Sequence, residues 1–131
     1  ASDVYKRQAK MLGARITGFT VELPMPLLMG DPGAVAFSAE MIQEHRVKSE
    51  AHARTLLRQF GLKAQEAGVP FDGQFMMTDE VADSIVDMAR RLECDLIVMA
   101  THGRHGLDAL INGSLTKSVL SHSQIPLLVV H

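Results

Sequence analysis

The residues best suited to chemistry in this chain follow an apolar run, Leu96-Ile97-Val98-Met99. They are Ala100-Thr101-His102-Gly103-Arg104-His105-Gly106 and, further on, Asn112-Gly113-Ser114. Glycine removes the Cβ that would keep an anion away from backbone N–H groups. Ser114 opens a stretch of helical pattern, whose first N–H groups have no partner within the helix and carry the positive end of its dipole. Strand, glycine loop and helix start together form a phosphate cradle. Thr101, Arg104 and Leu115 lie beside those glycines and reach a phosphate through backbone or side chain. The chemistry implied is anion binding rather than turnover. Gly113-Ser114 is followed by Leu115-Thr116 instead of the lysine and hydroxyl of a Walker loop, and there is no GxGxxG, nucleophile elbow or paired catalytic carboxylate. Asp108 lies in the loop without an identifiable partner.

Six histidines raise the question of a metal. His102 and His105 are close in sequence, and His45 and His52 share a helix face two turns apart. No HExxH or Cys/His ligand set accompanies them, so no protein-held metal is expected. Cys94, the single cysteine, excludes an internal disulfide and has no basic neighbour to activate it.

The elements that must position the loop alternate between strand and helix. Ala14 to Val21 alternates with Ile16, Phe19 and Val21 among small residues, which predicts a strand. Pro24, Pro26, Gly30, Pro32 and Gly33 make Glu22 to Gly33 a loop. From Ser38 to about Ala67 the pattern is helical, with Ala53, Leu56, Leu57, Phe60 and Ala64 on one stripe and Gly68 as its stop. Val69 to Met77 reads as an edge strand. Thr78 is expected to cap the next helix, with Asp79 and Glu80 in its first turn and Val81, Ile85, Met88 and Leu92 as its buried face. Those acids would repel a phosphate, whereas the helix from Ser114 has no acid in its first turn and has Lys117 nearby. Ile125 to Val130 is a final apolar strand. This alternation predicts an α/β fold, an open parallel sheet with helices on both faces, whose ligands sit beyond the carboxyl ends of the strands.

At 131 residues the chain suits one domain, and a formal charge of -2 argues against a nucleic-acid binder. Its apolar runs are too short to cross a bilayer, so no membrane partner is expected and the cytoplasm is the expected location. Residues 1–8, Ala1-Ser2-Asp3-Val4-Tyr5-Lys6-Arg7-Gln8, spell a translated transposase-based sequencing adapter and are read as an artefact, leaving one domain over residues 9–131.

The run Asp95 to Leu107 with Asn112-Gly113-Ser114, and the ending Ser123-Gln124-Ile125-Pro126-Leu127-Leu128-Val129-Val130, closely resemble the universal stress protein family. The resemblance implies a Rossmann-like fold of the adenine nucleotide alpha hydrolase type. It also implies a bacterial, cytoplasmic stress-response module that binds ATP, with any magnesium or manganese carried by the nucleotide. In the family's phosphate pattern Gly103 and Gly113-Ser114 match with nine residues between them, while Ala100 stands where the first glycine is expected. Thr20 and Val21 match the strand end whose backbone meets adenine. The resemblance also implies that the family's first central strand, with its acidic adenine contact, would lie before Ala9 and is expected to be missing from the chain. The final strand, Ile125 to Val130, resembles the family's homodimer strand. Two other readings stay open: a dimeric protein-interaction module that needs no nucleotide, and a slow ATPase.

Overall fold

Seven elements alternate along the residues described by the computed structural model, 13–24, 38–100 and 114–130. They are β1 (Ile16–Glu22), α1 (Ala39–Glu66), β2 (Phe71–Met77), α2 (Val81–Arg91), β3 (Ile97–Ala100), α3 (Ser114–His122) and β4 (Leu127–Val130). The strands pair in parallel as β1 with β2 and β3 with β4, each pair joined through a helix. This is the α/β, Rossmann-like arrangement that the alternation predicts. Among the described residues the four strands form two separate two-stranded sheets. The chain divides accordingly into two compact units, one holding β1, α1 and β2, the other α2, β3, α3 and β4.

In the first unit α1 begins as expected: the Ser38 hydroxyl accepts the Met41 N–H at 3.1 Å. It ends in a paired stop, with Gly68 at φ 72°, its N–H on the Gln65 carbonyl and the Val69 N–H on the Ala64 carbonyl. Ala53 and Ala64 are fully buried, and Leu56, Leu57 and Phe60 are half-buried, so the predicted stripe is the packed face. Side chains alternate along a strand, so Ile16, Gly18, Thr20 and Glu22 share one face of β1 and pair with Phe71, Gly73, Phe75 and Met77. Phe71 lies across this face. A Cβ on Gly18 would stand 2.5 Å from its Cζ, and a Cβ on Gly61 or Gly73 would stand 3.3 or 3.4 Å from its ring. Three glycines on two strands and a helix thus make room for one aromatic ring.

In the second unit Val86, Ala89, Ile97, Met99 and Val119 form the buried cluster, with Ile85, Leu115, Ile125 and Leu127 packed against it. Ile97 and Met99 point into it by alternation. Leu96 and Leu128 remain exposed.

The start of α2 differs from the expectation. Thr78 is not its cap: the Thr78 N–H continues the β1–β2 ladder to the Glu22 carbonyl at 3.0 Å, and the helix begins three residues later, at Val81. Glu80 is the capping residue, without a side-chain cap bond, and the acid of the first turn is Asp83. Of the expected buried face Val81 is buried, Ile85 and Met88 are half-buried and Leu92 is exposed, while Ser84, Val86 and Ala89 complete the buried set. Ser84 is accommodated there because its hydroxyl donates to the Val81 carbonyl at 2.8 Å.

Candidate functional site

Ala100 ends β3 and Ser114 begins α3 in the same unit. Leu115 is packed against the buried cluster of this unit, to which α2, β3 and α3 all contribute. The Leu115 side chain is therefore half-buried core rather than a group facing a ligand. Ser114 is exposed, the first turn carries no acid, and Lys117, three residues on, is exposed. By contrast α1 has Glu40 and α2 has Asp83 in the first turn. Among the described helices, α3 alone has a first turn free of acids, so its dipole is not opposed there by a carboxylate of its own first turn. Thr101, Gly103, Arg104 and Gly113, the remaining residues of the expected cradle, lie outside the described residues.

Thr20 and Val21 belong to the other unit. The ladder separates their roles. The Ile16 N–H bonds the Pro70 carbonyl and the Glu22 carbonyl accepts from Thr78, so the even-numbered residues of β1 direct their backbone groups to β2. Thr20 is spent in this way. Val21 directs its N–H and C=O to the opposite edge, while its side chain is buried. Of the two residues, Val21 has the backbone pair that a planar base with adjacent donor and acceptor can use.

The carboxyl end of β1 also carries a polar cluster that the sequence pattern leaves unnoticed. The His52 Nδ1–H donates to Glu22 Oε1 at 2.8 Å, the Glu22 carboxylate being almost entirely buried and the imidazole about half exposed. His45 Nε2–H donates to the Leu23 carbonyl at 2.7 Å, with Ser49 Oγ 3.3 Å from the same nitrogen. A carbonyl only accepts, so Nε2 carries the proton and His45 cannot serve as a base toward Ser49. The shared face of His45 and His52 is visible in the sequence. Their partners are not, because a glutamate ending an apolar strand gives no sign of which helix residue lies over it. Among the described residues no group of three His, Cys, Asp or Glu is arranged to hold a metal.

Cys94 is half-buried against the second unit's cluster. Burial, and then the carboxylate of Asp95 beside it, push its thiol above the ordinary value. Thiolate is correspondingly scarce at neutral pH, and a nucleophilic role has no support. No helix among the described residues is long and apolar enough to cross a membrane.

Parallel βαβ units, each with its strands joined through a helix, define a Rossmann-like α/β protein. Its family follows from comparison with known proteins. The model of the universal stress protein family matches residues 3–131, and the chain belongs to that family. It is 32% identical over 97 residues to a universal stress protein of Synechocystis sp., a match covering 74% of this chain and 62% of that protein. The chain thus spans less than two thirds of the length of this relative. Among solved structures it is similar to the universal stress protein UspA from Lactobacillus plantarum, with a TM-score of 0.73 and 18% identity, covering 99% of this chain and 87% of the other. It is also similar to a universal stress protein solved in complex with cAMP, with a TM-score of 0.63 and 20% identity, covering 100% of this chain and 84% of the other.

Proposed function

We propose that this protein is a regulatory nucleotide-binding module that takes ATP and acts by binding it rather than by turning it over. Gly103, Gly113 and Ser114 are assigned to the phosphates, with Thr101, Arg104 and the Leu115 N–H beside them and Ala100 where the family has glycine. Val21, next to Thr20, is assigned to the base. The observation that carries this reading is the acid-free start of α3, the helix that follows β3 in the chain. The cAMP complex of a structural neighbour supports an adenine nucleotide as the ligand class. Any magnesium or manganese is assigned to the nucleotide's own phosphates. The lone Cys94 suits a reducing compartment such as a bacterial cytoplasm, and the Synechocystis relative supports a bacterial source.

Calorimetric titration of ATP into the full-length protein tests this reading. Saturable heat is expected at micromolar to millimolar ATP, and absence of heat at millimolar ATP overturns it. Slow ATP hydrolysis remains a separate outcome, and release of phosphate that survives Gly113→Val would point to a contaminant.

We also propose a homodimer through β4. In the β3–β4 ladder the Ile97 N–H bonds the Pro126 carbonyl, so Leu128 faces its backbone to β3 while Leu127 and Val129 face theirs outward. That edge is apolar and suited to pairing with a second copy across a two-fold axis. Val129→Pro removes an outward N–H without touching the β3 ladder. It is expected to convert a dimer to a monomer in sedimentation velocity while retaining the circular dichroism of the parent. A dimer that persists in this variant excludes β4 pairing. A dimer that forms equally well without ATP, in a protein that never binds it, would favour the interaction-module reading, to which Ala100 in place of glycine already lends some weight.

A further inference from the structure

We propose that His45 and His52 are positioning residues that hold the carboxyl end of β1 in register and thereby place the backbone edge of Val21 for the base. This rests on the nucleotide reading above. The two histidines stand two turns apart on α1 and grip consecutive residues, His52 the carboxylate of Glu22 and His45 the carbonyl of Leu23. From the other side, the Thr78 N–H holds the Glu22 carbonyl. Glu22 is therefore fixed through both its backbone and its side chain, and Leu23 through its carbonyl, immediately before the chain leaves the sheet at Pro24. Fixing Glu22 toward β2 forces Val21 to direct its N–H and C=O to the opposite edge, since successive residues of a strand alternate.

Strand ends fray when their last backbone groups are held by few bonds, and a ligand read by backbone requires the opposite. The apolar seat of α1 on the sheet lies further along, at Ala53, Leu57, Gly61 and Ala64 with Phe71. Of the residues that α1 buries, only Ser49 precedes Ala53. The histidine contacts thus add little to the apolar seat and act locally, on the two residues that follow Val21. The Glu22 carboxylate makes this tie specific: a buried carboxylate needs a charged or hydrogen-bonding partner, and His52 Nδ1 supplies it.

The test compares ATP with inorganic triphosphate, which has no base to place, in calorimetric titrations of the full-length protein. The variant is Glu22→Leu with His52→Leu, which removes both polar partners together and leaves no buried charge unpaired. Loss of the tie is expected to weaken ATP by roughly 10–100-fold, the range for ångström-scale misplacement. Triphosphate affinity and the urea midpoint stay close to those of the parent. His52→Asn, whose amide N–H can replace Nδ1–H, is expected to recover most of the ATP affinity. Unchanged ATP affinity in the double variant overturns the proposal, as does equal weakening of ATP and triphosphate, which would mark the pair as merely structural. Failure of the parent to bind ATP at all overturns the nucleotide reading and this one with it, and is recognised without any variant.

Discussion

Gly18→Val is expected to lower the stability of the unit built from β1, α1 and β2 by about 2–3 kcal/mol, through overpacking. In an open strand the same change would be favourable, because valine loses less backbone entropy than glycine and has the better strand propensity, together about 1 kcal/mol. Here the new Cβ would stand 2.5 Å from Phe71 Cζ, 2.9 Å from Cε2 and 3.3 Å from Leu57 Cδ2. The ring lies over Gly61 and Gly73 as well, where a built Cβ would stand 3.3 and 3.4 Å from it, so relief requires the ring to leave this seat. Steric conflict therefore exceeds the propensity gain and sets the sign. Urea denaturation monitored by circular dichroism measures it. Adding Phe71→Leu to Gly18→Val should restore much of the loss, because the smaller side chain vacates the contested space. A Gly18→Val midpoint at or above that of the parent would show that the ring does not occupy this position.

Ser114→Asp is expected to separate binding from stability. A carboxylate at the exposed first residue of α3 complements the helix dipole and stabilises the helix by about 0.3–1 kcal/mol. The same carboxylate set about 4 Å from a nucleotide phosphate opposes it by up to roughly 4 kcal/mol near a protein surface, less when salt screens the pair. The protein should thus melt at the same temperature or slightly higher. Its affinity for ATP should fall roughly 30–100-fold at low ionic strength, a loss of about 2–3 kcal/mol. Raising the salt concentration should narrow the gap between variant and parent. Gly113→Val acts by shape instead, placing a branched side chain where backbone is assigned to approach phosphate, so its loss of binding should not depend on salt. If Ser114→Asp binds ATP as tightly as the parent, the phosphates do not lie at the start of α3.

Most of the architecture is legible in the residues because local physical chemistry determines it. Ser38 as a cap, the apolar stripe Ala53 to Ala64 and Gly68 as a stop mark α1 almost to the residue. The apolar run before Ala100 and the absence of acids after Ser114 mark the strand and helix that frame the expected phosphate loop. The start of α2 shows where local reasoning fails. Thr78 is a good cap in isolation, but the strand pairing runs on to it: its N–H bonds the Glu22 carbonyl, 56 residues earlier in the chain, and α2 begins only at Val81. No helix-start rule contains that pairing.

Residue types and their spacing settled which segments form strands and helices, which helix start is free of acids, and membership of the universal stress protein family, since each follows from side-chain periodicity, charge and glycine placement within a short window. Long-range pairing settled the rest. The parallel register of β1 with β2 makes Val21, and not Thr20, the residue with an outward backbone edge. The packing of α1 over β1 brings His45 and His52 to Leu23 and Glu22. Which backbone groups stay free and which buried charges find partners depend on elements tens of residues apart in the chain, and tertiary packing alone brings those elements together.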